Sequence, residues 1–253
     1  MTNWLLEILK WKLLASRVHL ISFKTAAKQS LSAHAIGLLT PNRIGDYGAK
    51  AMFYPSKKRK KILVLNFLGN GMQLLTTLLF GIIGVIITVS SYSISIKPTN
   101  IILAIIVIVL FIVLGYLFKE RELLVKGFSL KNIWIFFREL PATFNLKIGA
   151  LSILRYIVFS ALFYLVLKFL GADTKVNETA PLIFTMYLLV SITPTLFILD
   201  VVVRGGIAVW VFSLMGVPEV LVLCSVLYMW LLNFALPAFI GNLIFIQYKP
   251  KSL

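Results

Sequence analysis

Long uninterrupted apolar runs restrict what this chain can fold into more strongly than any other feature. Four of them are residues 62–89, 101–118, 148–170 and 220–246. A helix needs about 20 apolar residues to cross the hydrocarbon core of a bilayer, and only helices or closed barrels satisfy their backbone there. Hydrophobic residues make up 60% of the chain and charged residues 13%, whereas about a quarter of a soluble domain is charged. The sequence therefore predicts an all-α polytopic membrane protein, with residues 1–253 forming a single integral membrane domain.

A fifth apolar run, residues 181–199, is interrupted by Thr193 and Pro194. The apolar piece that follows, residues 205–215, is too short to cross a membrane alone. For the last helix to run inward, the chain must enter the membrane here and return. We therefore expect about five spanning helices and a broken or re-entrant element over residues 193–215. Irregular backbone is tolerated at that depth only when it is buried in protein or lines a wet cavity.

The charge of the chain is strongly basic and unevenly placed. The sequence contains 25 Lys and Arg against 9 Asp and Glu, an excess that favours anionic lipid headgroups over nucleic acid on so apolar a chain. Because cytoplasmic loops retain Lys and Arg, residues 57–61 and 119–147 are expected inside the cell. The loops 90–100 and 171–180 carry few basic residues and are expected outside, while the C-terminal tail is cytoplasmic. The 57–61 cluster is interpreted as a topology anchor, with headgroup capture as the alternative.

The first 38 residues are expected to form one basic amphipathic helix. Lys10, Arg17 and Lys24 recur every seven residues, and Lys28 follows four further on. Such a helix is typical of an interfacial position on the inner leaflet, and the alternative is that it shapes an entry for a lipid headgroup. Three tryptophans are expected near membrane interfaces without a functional role: Trp4, Trp11 and Trp134.

Two short segments combine helix breakers with charges at the same spacing. The first, residues 39–54, contains Thr40-Pro41, Gly45, Asp46 and Lys50, and the second, residues 193–215, contains Thr193-Pro194, Asp200, Arg204 and Gly205. An acid and a cation four residues apart share one helix face, so both pairs are expected to form. By the charge rule, the helix after the first motif runs outward and the helix after the second runs inward. This indicates an inverted-topology repeat, with two broken helices meeting at a substrate site.

The charged residues of the two motifs are candidate binding residues, because charges within a membrane are expensive and are functional by default. A purely structural role as buried or interfacial ion pairs is the alternative. A polar stripe on one face of the first spanning helix consists of Asn66, Asn70, Gln73 and Thr77. The stripe either lines a hydrophilic groove beside the first motif or bonds to neighbouring helices.

The remaining polar residues are given structural roles. Arg155 is expected to snorkel to the cytoplasmic interface, with a buried site as the alternative. Pro237 and Gly241 predict a kink in the last helix, with Asn233 satisfying the freed backbone carbonyl. The histidines and the cysteine are too few and too scattered for a metal site, so no metal or other cofactor is expected: His19, His34 and Cys224.

The stretch Leu39-Thr40-Pro41-Asn42-Arg43-Ile44-Gly45-Asp46 resembles the TPxRxGE signature of the lysylphosphatidylglycerol synthase/flippase transmembrane family, with Asp46 in place of the usual Glu. The second motif is similar to that family's later P…(G)xxE segment, again with Asp200 in place of Glu. The likeness extends over about residues 3–245. It implies a multi-pass protein of the bacterial plasma membrane with two re-entrant elements. Some members of that family move a cationic aminoacyl phospholipid, or another lipid, between leaflets.

Two parts usual in that family do not occur in these 253 residues. They are the additional spanning helices before the Trp-rich segment and the cytosolic aminoacyl-transferase domain of the bifunctional members. Lipid synthesis is therefore not implied, and the cargo of the bifunctional members does not transfer directly to this chain.

Lipid translocation without covalent chemistry is the preferred function. Arg43, Lys50 and Arg204 are expected to engage phosphate, while Asp46 and Asp200 neutralise them or contact a cationic headgroup. The expected partners are membrane lipids, first an anionic or aminoacylated phospholipid, with either a second copy of this chain or a partner synthase. An accessory or scaffold subunit of an envelope lipid or glycan pathway is the alternative. A lipid-modifying enzyme comes third, because no nucleophile–base pair, metal cluster or phosphate-binding loop supports catalysis.

Overall fold

The computed structural model describes residues 2–40, 44–92, 129–193, 195 and 197–246, with the isolated positions 94, 99, 113, 116 and 117. Across these residues the regular structure is entirely helical. The chain forms two compact units, one of Met1–Thr88 with Lys147–Leu253 and one of Val89–Leu146.

The helices follow the chain in a simple order. They are α1 (Thr2–Ala15), α2 (Phe23–Leu38), α3 (Gly45–Met52), α4 (Ser56–Ser91), α5 (Leu130–Glu139), α6 (Ala142–Phe169), α7 (Val176–Ile192), α8 (Phe197–Ser213), α9 (Glu219–Trp230) and α10 (Leu236–Ile246). A π-helical turn, Leu231–Ala235, joins α9 to α10 without a break.

Three helical segments are long and apolar enough to cross a membrane: Ser56–Ser91 (α4), Ala142–Phe169 (α6) and Glu219–Ile246 (α9, the π turn and α10). They coincide to within a few residues with three of the predicted apolar runs. The prediction of a helical membrane protein is therefore confirmed at this level. The predicted run 101–118 lies almost wholly outside the described residues.

The fifth apolar run does not form one helix over residues 181–199. Helix α7 ends at Ile192 and α8 begins at Phe197. Thr193 has extended backbone, with φ −90° and ψ 116°, because the ring of a following proline disfavours helical geometry at the residue before it. The short piece expected at 205–215 is correspondingly the second half of a longer helix, α8.

The N-terminal segment is two helices rather than the single basic helix that the charge spacing predicts. Helix α1 ends at Ala15, and Ser22 starts α2 by accepting a hydrogen bond from the Thr25 N–H at 3.2 Å. Because the chain leaves helical geometry between them, the seven-residue spacing of the basic residues does not correspond to one helix face.

The basic residues of this segment accordingly separate. Lys10 is buried at 1% exposure, whereas the other three are exposed: Arg17, Lys24 and Lys28. Trp11, expected at a membrane interface, is also 1% exposed, and its indole donates to the Gln29 Oε1 at 2.8 Å. Helix α1 therefore packs into the protein by the face that carries Lys10 and Trp11.

Glycines allow helices of the first unit to approach closely. A Cβ on Gly84 of α4 would lie 2.6 Å from the Phe184 Cβ and 2.8 Å from the Pro181 carbonyl oxygen of α7. A Cβ on Gly241 of α10 would overlap the Leu31 carbonyl of α2. Small residues at such crossings are typical of helix packing in membranes.

The π turn stands where Pro237 predicts a kink. Pro237 has no N–H to offer the carbonyl four residues earlier, that of Asn233. The Trp4 indole donates to this carbonyl at 3.1 Å, while the Asn233 side chain donates to the Met229 carbonyl at 3.1 Å. The sequence suggested that the Asn233 amide satisfies the freed carbonyl. In the structure, the indole of Trp4 in α1 donates to this carbonyl instead.

The second unit contains, among its described residues, α5 and the adjoining ends of α4 and α6. Ser129 caps α5 by accepting from the Asn132 N–H at 3.2 Å. The Asn145 amide donates to the Phe137 carbonyl at 3.4 Å. Trp134, which the sequence places near an interface, is 64% exposed.

Candidate functional site

A cavity of about 800 Å³ lies within the first unit. Seven helices and the π turn contribute to its wall, which brings most of the predicted binding residues together: Asp46, Lys50, Asn70, Gln73, Asp200 and Arg204. Thr40, Thr77 and Thr193 also line it. The two motifs, which are far apart in the sequence, therefore face the same space.

The first motif lies in the break between α2 and α3. The Thr40 hydroxyl donates to the Gly37 carbonyl at 2.9 Å and accepts from the Gly45 N–H at 2.8 Å, so it links the end of one helix to the start of the next. A Cβ on Gly45 would lie 2.9 Å from the Ile36 carbonyl oxygen and from the Thr40 side chain. Gly45 therefore starts α3 close to the end of α2, with Asp46 in the first turn of α3 and Lys50 one turn later.

The Asp46–Lys50 ion pair that the spacing predicts is present, with 3.4 Å between Oδ2 and Nζ. Asn66 of α4 connects the two charges, since its Oδ1 accepts from Lys50 at 3.1 Å and its Nδ2 donates to Asp46 at 3.0 Å. Lys50 also lies 4.7 Å from the centre of the Trp11 ring, a cation–π contact. Asn66 is 1% exposed and so supports the pair from behind the cavity wall.

Glu7 of α1 is the centre of a larger cluster that the sequence analysis did not identify. Its Oε2 lies 2.7 Å from the Arg155 Nη1 and 3.2 Å from the Lys10 Nζ, and its Oε1 lies 3.7 Å from the Lys50 Nζ. One carboxylate thus contacts cations from α1, α3 and α6. A sequence signal existed, because Glu7 is the sole acidic residue before Asp46.

We call the five residues Glu7, Lys10, Asp46, Lys50 and Arg155 the Glu7 cluster. It has two acids and three cations, and its side chains are between 2% and 25% exposed. Burial raises the free energy of a charge unless the charge is paired and hydrogen-bonded. The cluster gives each cation an acidic partner by sharing its two carboxylates, and one positive charge is in excess.

The electrostatics of the cluster shift two pKa values. Burial would raise the pKa of Glu7, but the cations Lys10, Arg155 and Lys50 outweigh burial and hold this pKa well below its usual range. Burial lowers the pKa of Lys10 to about 8, although the Glu7 carboxylate opposes the change. Glu7 is therefore a firmly ionised counter-ion, and Lys10 holds its proton less firmly than an ordinary lysine.

Arg155, for which the sequence suggested a snorkelling position, is held by contacts within the protein. Its Nη1 contacts Glu7, and its Nε donates to the Asn3 Oδ1 at 3.0 Å, so the side chain points into the cavity wall with 25% of it exposed. The Asn3 amide in turn donates to the Asn233 Oδ1 of the π turn at 3.1 Å. Three helical segments are therefore joined through one arginine.

The second motif forms another charged part of the wall. Asp200 Oδ2 lies 2.8 Å from the Arg204 Nε, and Asp200 Oδ1 accepts from the Thr195 hydroxyl at 3.0 Å. The Arg204 guanidinium lies 4.8 Å from the centre of the Phe234 ring. The acid and cation four residues apart again form the ion pair that their spacing predicts.

The polar stripe of α4 contributes both to the cavity wall and to hydrogen bonds between helices. Asn70, Gln73 and Thr77 line the cavity. Gln73 also bonds to neighbouring helices, accepting from Lys10 at 3.4 Å and donating to the Ser152 carbonyl at 3.4 Å. Lys10 completes its own three donors with the Gly69 carbonyl at 3.3 Å.

The cavity is also lined by two residues whose hydroxyl groups lack a protein partner in the described part of the chain. The hydroxyl oxygens of Ser30 and Tyr187 are buried and have no hydrogen-bond partner among the described residues. Both residues line the cavity, and Tyr187 also borders a small apolar recess next to Arg204 with Phe163, Val226 and Met229. Buried hydroxyls normally bond to protein, water or ligand, so these two unsatisfied hydroxyls beside the cavity are exceptions.

The remaining predicted residues fall outside the cavity wall or outside the described residues. Arg43, Pro41 and Pro194 lie outside the described residues. Gly205 belongs to α8, where a Cβ would lie 3.1 Å from the Leu223 Cδ2 of α9, so its position is a packing position. Within the described part of the chain, no group of three or more His, Cys, Asp or Glu side chains is arranged to hold a metal ion.

No family model, no curated protein and no solved structure matches this chain.

Proposed function

We propose that this protein moves a phospholipid or glycolipid headgroup between the leaflets of a membrane without covalent chemistry. The observation that carries the proposal is the charged cavity within a helical membrane unit, lined by both sequence motifs and by the polar stripe of α4. The barrier to lipid flipping is the transfer of a polar headgroup through hydrocarbon. A cavity that offers hydrogen bonds and charges to the headgroup within the hydrocarbon region lowers this barrier.

The two arginines are better placed to hold a phosphate than Lys50. A guanidinium has five N–H donors. Arg155 uses two of them and Arg204 uses one in its contacts with described residues, and the two side chains are 25% and 20% exposed. Lys50 is 3% exposed and has three oxygen partners for its three donors. We therefore propose Arg155 in place of Lys50 as a residue that engages phosphate. Arg43 and Arg204 keep the phosphate-binding role that the sequence predicts for them.

The arrangement of the two motifs supports the proposed inverted repeat with re-entrant elements. In both motifs a Thr-Pro step separates two helices, an acid follows in the first turn of the second helix, and a cation follows one turn later. Two such breaks facing one cavity are the arrangement in which broken helices form a substrate site near the middle of a membrane.

The broader proposal includes a location and a cargo. We propose a multi-pass protein of the bacterial plasma membrane with its C-terminus in the cytoplasm, because cytoplasmic loops retain Lys and Arg. The cargo class is an anionic or aminoacylated phospholipid, in keeping with the resemblance of residues 39–46 to the lysylphosphatidylglycerol synthase/flippase transmembrane family. The partners are membrane lipids, with a second copy of the chain or a lipid synthase as protein partners.

Reconstitution into liposomes tests the proposal. Headgroup-labelled phospholipids, anionic and aminoacylated, are expected to exchange between leaflets in the presence of the purified chain. Asp200→Asn removes the counter-charge of Arg204, and Arg204→Ala removes the guanidinium. We expect transport in each variant to fall to the level of protein-free liposomes, while the protein stays folded.

The matched control is Asp173→Asn, because the Asp173 side chain is fully exposed outside the cavity and its nearest cation, Lys168, is 3.6 Å away. It makes the same chemical change and should leave transport unaltered. Transport that persists in Asp200→Asn and Arg204→Ala would reject the site. No transport by the folded, unmodified chain would reject the function.

The second candidate function is that of an accessory or scaffold subunit. The observation in its favour is that three cations share Glu7, because removing one partner from such a buried cluster destabilises a fold. In that case, substitutions at Asp46 would reduce the amount of folded protein and any phenotype in parallel. Folded Asp46→Asn protein without transport would instead favour translocation.

A further inference from the structure

The Glu7 cluster has one more cation than it has acids. Lys10 and Arg155 contact the same carboxylate oxygen, Glu7 Oε2, at 3.2 and 2.7 Å. Glu7 therefore serves two cations with one oxygen and a third, Lys50, with the other. Because like charges repel more strongly in a poorly hydrated interior, the third positive charge destabilises the cluster when the cavity holds no anion.

Lys10 is the cation that loses most from this shortage. Lys50 has a second carboxylate, Asp46, and the face of the Trp11 ring, whereas Lys10 has no acidic partner besides Glu7 among the described residues. Arg155 cannot release a proton in the ordinary pH range. Lys10, whose one acidic partner among the described residues is shared with two other cations, is therefore the titratable cation that this shortage affects most.

The other titratable groups near the cluster do not relieve it. Helix α2 contributes His34 to the cavity wall, where its ring is bonded to the Phe234 carbonyl. Helix α3 adds Tyr47, and burial raises the pKa of its phenol, so it stays neutral. Helix α4 contributes amide and carbonyl groups only.

We propose that an anionic group entering the cavity binds at Arg155 together with a proton held on Lys10, so that the site takes up a phosphodiester anion and H⁺ as a pair. The anion supplies the negative charge that the cluster lacks, and the proton comes from water and stays on the Lys10 Nζ. This inference rests on the proposed function for the phosphodiester as ligand. The two binding events are linked. If protonation of Lys10 strengthens binding of the anion, then the bound anion must strengthen binding of the proton to Lys10 by the same factor.

Binding as a function of pH tests the coupling. The probe is dihexanoylphosphatidylglycerol, a short-chain lipid with a singly charged phosphodiester, titrated by calorimetry into detergent-solubilised protein. Because the pKa of Lys10 is about 8, affinity is expected to be constant below that pH and to weaken above it. The limiting slope is about tenfold per pH unit for one proton. A second arm uses dimethyl phosphate, which has the same charged group without acyl chains, to distinguish a lipid ligand from a free phosphodiester.

Two variants of Lys10 isolate the proton. Lys10→Met and Lys10→Arg should both remove the weakening at high pH, the first by having no proton to lose and the second by never losing it. Lys10→Arg keeps the charge and therefore serves if Lys10→Met does not fold. Lys12→Met, on the exposed side of the same helix, is the matched control and should keep the pH dependence.

Affinity that does not change with pH in the unmodified protein would overturn the proposal, and so would a pH dependence that survives in both Lys10 variants. Arg155→Gln should abolish binding at every pH, and unaltered binding in that variant would also overturn it. The outcome is separable from transport. Proton-linked binding without lipid movement in liposomes would reject the proposed function alone, and lipid movement with pH-independent binding would reject the coupling alone.

Discussion

At the scale of single residues, one carboxylate determines how the charges of this protein are arranged. Glu7 contacts cations on α1, α3 and α6, with distances from 2.7 to 3.7 Å. Removing one partner of a buried charged group usually costs more than the pair contributes, because the charge left behind has neither water nor counter-ion. In this cluster the effect is enlarged, since loss of Glu7 leaves three cations with Asp46 as their single acid among the described residues.

The variant Glu7→Gln should therefore be strongly destabilised, by about 3–5 kcal/mol in the free energy of unfolding at neutral pH. Unfolding in detergent micelles, followed by circular dichroism, measures the difference. Glu178→Gln makes the same change at an exposed position in the first turn of α7, where loss of a helix-dipole interaction costs less than about 1 kcal/mol. Equal effects of the two substitutions would show that the Glu7 cluster does not stabilise the fold.

The same residue sets an acid limit. The pKa of Glu7 is lower in the folded protein than its ordinary value of 4.5, so the unfolded chain binds the proton first as the pH falls. The stabilisation by Glu7 is complete above that ordinary value and is lost below it. The stability difference between the unmodified protein and Glu7→Gln should thus shrink as the pH falls below 4.5. A difference that stays constant down to about pH 3 would contradict the assignment.

At the scale of helices, breaks and close crossings position the site. Thr40 ties the end of α2 to the start of α3, and the extended Thr193 ends α7 before α8 begins. The π turn in the last spanning segment presents Asn233 and Phe234 to the two arginines of the cavity, the first through Asn3 and the second by its ring face. Local irregularities in helices are therefore where the site is assembled, as is common for π turns in functional proteins.

The crossing of α10 with α2 predicts a sharp difference between two glycines. Gly241→Ala would drive a methyl group into the Leu31 backbone, which cannot move aside as a side chain can. We expect a loss of about 1–3 kcal/mol from overpacking. Gly149→Ala in α6, with nothing within 4 Å of the added methyl group, should be neutral or slightly stabilising. Thermal unfolding in micelles compares the two, and a Gly241→Ala protein as stable as Gly149→Ala would contradict this packing.

At the scale of the whole molecule, the cavity requires several parts of the chain at once. Residues 1–77 supply Glu7, Lys50 and the stripe of α4, and residues 155–234 supply Arg155, Arg204 and the ring of Phe234. Neither portion contains the whole charged wall. The first unit must therefore fold as one body, with α1 inserted among the longer helices, before the cavity exists.

The orientation of the whole chain is a separate prediction, made from the distribution of basic residues. In a Cys224→Ser background, Asp173→Cys should react with a membrane-impermeant maleimide in intact bacterial cells. Lys58→Cys should react after the cells are permeabilised and not before, because both positions are exposed on the protein but are expected on opposite sides of the membrane. The reverse pattern of labelling would invert the proposed topology.

The sequence by itself determined the features that depend on neighbours along the chain. Apolar runs predicted the three long helices, Thr-Pro steps predicted the break after α7, and spacing of four residues predicted the Asp46–Lys50 and Asp200–Arg204 pairs. These follow from helix length, from proline sterics and from the helical repeat, all of which act over a few residues. The prediction of a single N-terminal helix was wrong, because a repeat of charged residues does not reveal where a helix ends.

Only the tertiary structure decided which charges meet. Glu7 and Arg155 are separated by 148 positions, and Trp4 and the Asn233 carbonyl by 229. No periodicity along the chain encodes such contacts, because they depend on which helices pack together and on the depth at which each one lies. Arg155 is compatible by sequence with a snorkelling position, and the presence of Glu7 opposite it places it in the cavity. A buried charged side chain lies beside a counter-charge, and the fold determines where that counter-charge is.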